Sequence, residues 1–361
     1  MLNKYLKKSV QNISPYSWEP TTTELAKKYK LPIKKIIRLD YNTPGQPPAC
    51  YDEFLKIISK NREINEYQDY SYNNLKELIA KYEKTKKEHV VCGNSGDEMI
   101  DIIGKVCLNQ NDKFIISSPT YSVYKIQSEI NGGIVIDIPL TSFFDLDDKE
   151  IVNQAKNKKV KLIFICNPNN PTGTVADPEK ILNIIKKVKC LVVVDEAYGE
   201  FYGRSFKKYI RQYNNLIILK SFSKFARIAS ARVGYILTNK KLTEKLDALR
   251  FPMGIPYFSM ELAKLVLQKD LVNIKNNISA TISERKRMIK ILKNKNIITT
   301  DSQANFLLIV LPIKSKAVIE KLNNQGLIVR DRHSQVPNSI RVTVRDKKTN
   351  DLFLKNLFKF I

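Results

Sequence analysis

Short apolar runs rich in β-branched residues alternate with longer amphipathic stretches through the middle of the chain. The runs predict seven strands, at residues 89–92, 113–117, 134–138, 161–166, 191–195, 216–220 and 233–238. Apolar positions at helical spacing predict helices between them, at about 73–87, 96–108, 121–131, 148–157 and 178–188. Apolar strands that alternate with helices are typical of a mostly parallel sheet covered on both faces. The pattern therefore predicts an α/β fold with a doubly wound, seven-stranded sheet.

The pattern changes after residue 240, where the helical stretches become longer and richer in lysine. Helices are predicted at about 240–250, 258–276 and 278–294, followed by strands at 305–311, 327–330 and 339–344. This order predicts a second, smaller α+β domain over residues 241–361, after a large domain at 46–240. Residues 1–45 contain Pro15, Pro20, Pro32 and Pro44. We therefore expect an irregular N-terminal arm that packs with the small domain.

The composition is that of a soluble globular protein. The chain has 361 residues, of which 43% are hydrophobic, and this is enough to bury one large core with a smaller partner. The first residues lack the apolar segment of a signal peptide. Apolar runs such as 191–194 are of strand length and too short to span a bilayer. A cytoplasmic protein without membrane segments is expected.

Cysteine and histidine are too sparse to build a metal site or a histidine-based triad. The five cysteines are an odd number without a C-x-x-C pair, and several lie in apolar runs, which favours reduced structural thiols. The histidines are only two, His89 and His333. Proton transfer is therefore expected to depend on lysine, tyrosine or carboxylate groups.

The formal net charge is +25, which raises the possibility of a nucleic-acid-binding protein. The lysines, however, are scattered through nearly every predicted helix, and the sequence has no arginine-rich arm or basic-aromatic array. Specific nucleic-acid binding is therefore not expected as the main function. A milder consequence of the charge is attraction of anionic substrates.

Two polar segments follow predicted strands. Residues 93–98, GNSGDE, open a helix, where glycines let the backbone approach a ligand and free N–H groups favour a phosphate. The same acidic residues would also serve as an ordinary helix cap. Residues 166–173, CNPNNPTG, form a rigid turn with several free amides. Ligands of open α/β sheets bind at these strand ends, so both segments are candidates for ligand contact.

A third segment, residues 191–198 with the sequence LVVVDEAY, brings a carboxylate and a phenol to the end of an apolar strand. Burying Asp195 costs several kcal/mol (roughly 2–7) unless a cation or a hydrogen bond compensates it. A protonated pyridine nitrogen would be such a partner for Asp195, with Tyr198 entering the same crevice. The alternative role of Asp195 is that of a helix N-cap.

A fourth segment, residues 221–224 with the sequence SFSK, places Lys224 after a buried strand between hydroxyl groups. Burial and nearby cations lower the pKa of a lysine, so that its neutral amine becomes available as a nucleophile and base. Arg232, eight residues later, could bind a phosphate with two hydrogen bonds. The four segments together indicate a Schiff-base enzyme with a phosphate-bearing cofactor.

These segments resemble the pyridoxal-phosphate aminotransferases of fold type I, and among them the histidinol-phosphate aminotransferase-like group. The resemblance extends from residues 14–16, SPY, to Arg341, which is nearly the whole chain. It implies an aspartate aminotransferase-like fold whose large domain, residues 46–240, binds pyridoxal 5′-phosphate.

The resemblance implies a role for each matching residue around the cofactor ring. Lys224 would hold the cofactor as a Schiff base and move the proton at the substrate carbon α. Asp195 would keep the pyridine nitrogen protonated, so that the ring acts as an electron sink. Tyr198 and Asn170 match the residues that hydrogen-bond the cofactor O3′, and Tyr121 matches the aromatic residue that stacks on the ring.

The phosphate end of the cofactor has its own matching set. The residues that match this phosphate cup are Ser95, Gly96, Asp97, Ser221, Ser223 and Arg232. The cup reads Asn-Ser-Gly-Asp where Asn-Gly-Ser-Asp is commoner in the family, so its backbone path is expected to differ. Tyr67 matches the tyrosine that reaches the phosphate bound by the other subunit. That match implies a homodimer with shared active sites.

The substrate side is matched less completely. Arg341 resembles the arginine that binds the amino-acid α-carboxylate, and Arg330 resembles the arginine facing a substrate phosphate or side chain. Tyr16 and Asn42 resemble substrate-side residues of the N-terminal arm. Thr43 departs from the Asn-Glu-Asn-Pro sequence that is commoner in that loop.

The predicted function is transamination between a small-molecule amino donor and a keto-acid acceptor, the donor being an amino acid or a phosphorylated amine of the histidinol-phosphate type. One alternative on the same scaffold is a pyridoxal-phosphate-dependent decarboxylase of a phosphorylated amino acid, such as threonine or serine phosphate. A remote alternative is a basic nucleic-acid-binding protein with an enzyme-like core.

Overall fold

Helices and strands alternate through the middle of the chain in the computed structural model, which describes residues 2–11, 18–61 and 65–361. The α-helices in these ranges are α1 Thr22–Lys28, α2 Tyr51–Lys60, α3 Asn73–Glu83, α4 Ser95–Cys107, α5 Val123–Ile130, α6 Asp148–Gln154, α7 Pro178–Lys187, α8 Gly199–Tyr202, α9 Lys240–Leu249, α10 Tyr257–Lys269, α11 Leu271–Asn294, α12 Ser315–Asn324 and α13 Lys347–Phe360. Within the described ranges, no helix combines the length and the apolar character needed to cross a membrane.

The strands are β1 Ile37–Arg38, β2 Val90–Asn94, β3 Lys113–Ile116, β4 Ile134–Asp137, β5 Val160–Cys166, β6 Leu191–Asp195, β7 Leu216–Ser221, β8 Val233–Leu237, β9 Ile298–Thr299, β10 Phe306–Val310, β11 Leu327–Ile328, β12 Arg330–Asp331 and β13 Ser339–Thr343. Seven of them form one sheet in the order β2-β8-β7-β6-β5-β3-β4. Strand β8 pairs antiparallel with β2 and β7, and the other pairs are parallel. The prediction of a mostly parallel seven-stranded sheet is confirmed.

The sheet is buried on both faces because successive side chains of each strand point to opposite sides. On β6, Val192 and Val194 enter one apolar cluster together with residues of α3, α7 and α10. Val193 enters a second cluster together with residues of α4, α5 and α9. A strand that faces apolar helices on both sides must be apolar throughout, and this is why the apolar run of β6 predicts the strand from sequence. All five cysteines are free.

A second sheet lies in the C-terminal part of the chain, with the strand order β12-β13-β10-β9. Helices α11, α12 and α13 cover it through buried residues such as Met288, Leu322 and Phe353. Helices α9 and α10, which the pattern assigned to the small domain, instead contribute Leu246 and Ala263 to the two clusters of the large sheet. We therefore propose that the domain boundary lies near residue 270 rather than at 240.

The N-terminal arm contains a helix that the pattern did not predict. Helix α1 begins with a capping box in which Thr21 and Glu24 satisfy each other's backbone N–H groups. Pro20 and Pro32 lie on either side of this helix and do not interrupt it. Strand β1 then pairs in parallel with β11, with Ile37 beside Leu327. The arm is thereby packed on the C-terminal unit.

Candidate active site

The carboxyl ends of β2, β5, β6 and β7 meet at one edge of the large sheet, and the antiparallel strand β8 begins there. Ligands of open α/β sheets bind at this edge. The loops beyond these ends line a cavity of about 580 Å³, to which the arm and the C-terminal unit also contribute. The predicted residues that line it are Asn42, Ser95, Gly96, Asp97, Tyr121, Asn170, Asp195, Tyr198, Ser221, Ser223, Lys224, Arg232, Arg330 and Arg341.

Lys224 is half-buried in this cavity, just after β7. Its Nζ donates a hydrogen bond to the carbonyl oxygen of Tyr41 at 3.1 Å and lies 6.0 Å from the ring centroid of Tyr198. Burial, reinforced by the positive charges of Arg341 and Arg232, lowers the pKa of Lys224 to about 8. Roughly one tenth of the Lys224 amine is therefore neutral at pH 7, far more than for a lysine with the ordinary pKa of about 10.4.

Asp195 ends β6 and is 5% exposed. Its Oδ1 accepts a hydrogen bond from the Ala197 amide at 2.8 Å, and its Oδ2 accepts one from the Tyr124 hydroxyl at 2.5 Å. Burial raises the pKa of Asp195 to about 6, although the Tyr124 bond opposes the shift. The N-cap residue of α8 is Tyr198, so Asp195 does not take the alternative role of a helix cap, and its bond with Ala197 lies in the turn before the helix.

Tyr124 was missed by the sequence reasoning. Its ring is fully buried, stacks on Phe164 at 4.7 Å and meets Tyr121 edge-on at 5.6 Å. An aromatic residue in an amphipathic helix is usually interpreted as part of the core, and this one is both core and hydrogen-bond donor. Its position three residues after Tyr121, on the same side of the helix start, was the available signal.

The backbone at the start of α4 has the unusual path that the exchanged Ser-Gly order suggested. Ser95 adopts a positive φ of 75°, a conformation that normally favours glycine, whereas the position of a Cβ on Gly96 would be open. Strand β8 approaches this turn closely at Gly234. A Cβ on Gly234 would lie 2.6 Å from the Gly96 amide nitrogen. The cup can therefore form only if residue 234 is glycine.

Asp97 ties the cup residues together. It accepts hydrogen bonds from Arg232 at 2.7 Å and from the Tyr121 hydroxyl at 2.9 Å, and its own amide donates to the Ser95 hydroxyl at 3.2 Å. On the facing loop, the Ser223 amide donates to Ser221 Oγ at 3.2 Å. These contacts hold an arginine and several N–H and O–H groups at one end of the cavity, where an anion can bind.

The opposite wall joins the arm, the large sheet and the C-terminal unit. Arg341 donates to Asn170 Oδ1 at 2.7 Å and to the carbonyl oxygen of Asp40. Asn42 Nδ2 donates to the Tyr198 hydroxyl at 3.0 Å. Burial raises the pKa of Tyr198 to about 12 against the opposing charge of Arg341. The phenol is therefore protonated and can act as a donor.

Three residues at the cavity mouth were not identified from the sequence. They are Trp18, Glu19 and Arg332, which line the cavity. Glu19, in the arm, forms an ion pair with the predicted residue Arg330. Arg332 lies two residues after Arg330, and this spacing along an extended segment could have indicated a shared face. Nothing in the sequence pattern singled out Glu19.

One predicted residue, Tyr67, does not line this cavity. Tyr67 is 88% exposed, and its predicted contact with the other subunit's cofactor stays a prediction. Tyr16 lies outside the described residues.

A buried cluster of charges lies behind the site, reached by Lys220 of β7. Lys220 Nζ contacts Glu83 Oε1 at 3.1 Å and Glu200 Oε1 at 2.8 Å. Glu83 also accepts hydrogen bonds from Lys207 and from the Tyr235 hydroxyl, each at 2.5 Å. In this cluster, which we call the Lys220 cluster, the buried polar atoms satisfy one another, while Lys207 lies at its partly exposed rim.

Charges in the Lys220 cluster shift each other's pKa values. Burial opposes a charge on Lys220, but Glu200, Glu83 and Glu196 outweigh it and raise the pKa of Lys220 well above its ordinary value. Burial would likewise raise the pKa of Glu83, but Lys220 and Lys207 lower it. Glu196 has its pKa raised to about 7 by burial. Lys220 is consequently a permanent cation.

The sequence matches the family Aminotransferase class I and II over residues 34–357. It is 33% identical over 324 residues to histidinol-phosphate aminotransferase from Thermoanaerobacter sp. (strain X514), covering 89% of this chain and 92% of that protein. The protein of the same name from Caldanaerobacter subterraneus subsp. tengcongensis is 30% identical over 99% of both chains.

Solved structures share the fold. The histidinol-phosphate aminotransferase from Sinorhizobium meliloti, in complex with pyridoxal 5′-phosphate, superimposes with a TM-score of 0.87 at 19% identity, covering 99% of this chain and 98% of that chain. The aspartate aminotransferase from Thermotoga maritima superimposes with a TM-score of 0.81 at 21% identity, covering 98% and 99%. The predicted aspartate aminotransferase-like fold is confirmed.

Proposed function

Because the chain belongs to the class I and II aminotransferases, we propose that it transfers the amino group of a phosphorylated amine of the histidinol-phosphate type to a keto acid, with pyridoxal 5′-phosphate as its cofactor. Support for the substrate class comes from relatives named histidinol-phosphate aminotransferase that align over nearly the whole chain. The single observation that carries the proposal is the cavity itself, where Lys224 lies among Asp195, Arg232 and the two arginines Arg330 and Arg341.

The donor set fits the proposed cofactor from end to end. Arg232 and the turn at Ser95 would hold its phosphate, and Lys224 Nζ would bind it covalently. Asp195 is a buried carboxylate whose raised pKa shows that its negative charge is poorly compensated, which a protonated ring nitrogen would correct. When bound, the cofactor supplies an electron sink for the bonds of the substrate carbon α.

Lys224 is placed to move the proton of the reaction. The amine of Lys224, whose pKa in this chain is lowered to about 8, would be free for proton transfer when a substrate amine is bound in its place. An amine of this pKa can both accept and return a proton near neutrality. Lys224 Nζ would therefore be the group that removes the proton from the amine-bearing carbon and holds it for return.

The wall opposite the cup orients the substrates. Arg341, which is buried and held by Asn170 and the Asp40 carbonyl group, would bind the α-carboxylate of the keto acid. Arg330, at the mouth of the cavity, would bind the phosphate of the amino donor. Tyr198 and Asn170 would donate hydrogen bonds to the cofactor ring oxygen and fix the tilt of the ring.

We further propose that the enzyme is a cytoplasmic homodimer in which Tyr67 completes the phosphate cup of the partner subunit. The support is the family resemblance together with the 88% exposure of Tyr67 in the single chain. Tyr67→Phe should then weaken cofactor binding, and Tyr70→Phe on the same exposed segment is the control. A monomeric holoenzyme in solution would contradict this part of the proposal.

The test of the function is a half-reaction screen. Cofactor-loaded enzyme is mixed with histidinol phosphate, histidinol and threonine phosphate, and the conversion of the cofactor to its amine form is followed by absorbance. Conversion with histidinol phosphate is expected. Release of carbon dioxide from the phosphorylated amino acid without a keto acid would overturn transamination. A protein that binds no cofactor and binds nucleic acid in a salt-dependent manner would overturn both.

A further inference from the structure

Arg330, which we propose binds the substrate phosphate at the cavity mouth, is already paired with a carboxylate of the chain. Arg330 lies on β12 of the C-terminal unit and forms its ion pair with Glu19, which belongs to the arm. The Arg330 side chain is only 11% exposed and that of Glu19 25% exposed. The pair therefore joins two separate parts of the chain across the opening of the cavity.

The other carboxylates of the cavity have contacts that keep them in place. Asp40 accepts two hydrogen bonds from Arg38, at 2.9 and 2.6 Å. Asp97 is bound by Arg232 and Tyr121. Glu19 differs because it comes from an irregular segment, before α1, and reaches into the cavity from its rim.

We propose that Glu19 is an internal stand-in for the substrate phosphate and determines how tightly phosphorylated ligands are held. The proposal rests on the proposed function, in which Arg330 binds the phosphate of the amino donor. A phosphate bears about −1.5 to −2 charges near pH 7 and three acceptor oxygens, so it can replace a single carboxylate on one guanidinium group. A substrate without phosphate leaves the Glu19–Arg330 pair intact.

Phosphorylated ligands must displace Glu19 from Arg330. They therefore bind more weakly than they would if Arg330 were not paired with Glu19. The same carboxylate returns to Arg330 when the product leaves, so Arg330 is never an unpaired cation in a half-buried position. Exposed or partly exposed ion pairs contribute up to about 1 kcal/mol. Removal of the Glu19 charge should accordingly tighten phosphate binding about fivefold, the change in affinity that corresponds to this free energy.

A spectroscopic signal for this exchange is built into the chain. Trp18 is the only tryptophan of the sequence, it precedes Glu19, and its side chain lines the same cavity. Holoenzyme, in which the cofactor fills the phosphate cup, is titrated with inorganic phosphate while tryptophan fluorescence is recorded. We expect a saturable change in the wild type and a dissociation constant about fivefold lower in Glu19→Gln.

The kinetic test compares substrates with and without phosphate. In Glu19→Gln, KM for histidinol phosphate should fall about fivefold, while KM for histidinol should stay within twofold. Glu77→Gln is the matched control. Glu77 lies on α3 and forms an exposed ion pair with Lys87, so this variant removes the same charge away from the cavity. It should leave both KM values and the phosphate titration unchanged.

Two results would overturn the proposal while the enzymatic function stands. A rise in KM for histidinol phosphate in Glu19→Gln would show that Glu19 contacts the substrate rather than competing with it. An unchanged phosphate dissociation constant in an active enzyme would show that Glu19 does not compete at all. Failure of the proposed function is recognised separately, because wild-type holoenzyme would then convert neither amine, whatever the phosphate titration shows.

Discussion

Lys220 and Lys224 are four residues apart at the end of β7, and the protein treats their charges in opposite ways. Lys220 is buried and contacts the carboxylates of Glu83 and Glu200, and its pKa is raised. Lys224 is half-buried, its hydrogen-bond acceptor is a backbone carbonyl group, and Arg341 repels its charge. Its pKa is lowered to about 8.

The comparison shows that burial alone does not decide what a buried lysine does. Burial disfavours the charged form of both side chains. Where carboxylates surround the amine, the charge is kept and joins neighbouring strands and helices. Around Lys224, burial and the charge of Arg341 outweigh the nearby carboxylate of Asp97, so the proton is held weakly and the amine becomes a nucleophile. One strand thus supplies a structural cation to the Lys220 cluster and a reactive amine to the cavity.

The largest effect is expected from Lys224→Ala. Activity should fall by about 10⁴-fold, the upper end of the contribution of a positioned proton-transfer group. The fold should persist, because Lys224 makes no ion pair among the described residues. The measurements are steady-state turnover and thermal unfolding of the same preparation. If Lys224→Ala failed to fold, Lys224 would have a structural role, contrary to the contrast with Lys220.

Lys220→Met should show the reverse behaviour. Removing one member of a buried ion cluster costs about 3–5 kcal/mol, because Glu200 and Glu83 would then lose their main cation. The free energy of unfolding from urea titration is the measurement, with Lys220→Arg as the charge-preserving control. If the variant were as stable as wild type, the Lys220 cluster would have no structural role.

The pH dependence of cofactor capture sharpens the difference in pKa. Only the neutral amine attacks the cofactor aldehyde, so the capture rate of the apoenzyme should rise with pH. Its midpoint should lie near 8, below the value of about 10.4 for an ordinary lysine. Arg341→Met should move the midpoint upward, because one of the repelling charges is removed. Stopped-flow absorbance measures the rate, and a wild-type midpoint near 10 would exclude a reactive Lys224.

The smallest effect is expected at the rim of the Lys220 cluster. Lys207 contacts Glu83 at 2.5 Å, but its side chain is 33% exposed, so water partly replaces the lost partner. Lys207→Met should therefore cost about 1 kcal/mol, measured by the same urea titration. If Lys207→Met lowered the free energy of unfolding as much as Lys220→Met, the solvent exposure of a residue would not determine its contribution to the Lys220 cluster.

The large sheet could be predicted from the sequence because its strands are apolar on both faces and stand apart from the amphipathic helices around them. The pattern did not single out α2, α12 and α13. Helix α2 buries little more than Phe54, and a helix with so narrow an apolar face leaves a weak signal.

The polar residues at the strand ends were also predictable, because the topology of a parallel sheet collects them at one edge. Tyr124, Glu19 and the Lys220 cluster were not. Glu83 and Lys220 are separated by 137 positions, and their contact depends on how α3 packs behind the sheet. Such pairings follow from the tertiary structure, and a local pattern does not contain them.

Strand β8 limits where the chain can change in length. It is paired on both sides, its five residues are buried, and Arg232 directly precedes it. Because side chains alternate between faces, β8 can slip only by two residues, about 7 Å, without turning its apolar side chains around. Such a slip would carry Arg232 out of reach of the cup. A deletion within β8 should therefore abolish cofactor retention. A deletion at residues 155–159, which join α6 to the amino end of β5 on the side of the sheet away from the cavity, should be tolerated.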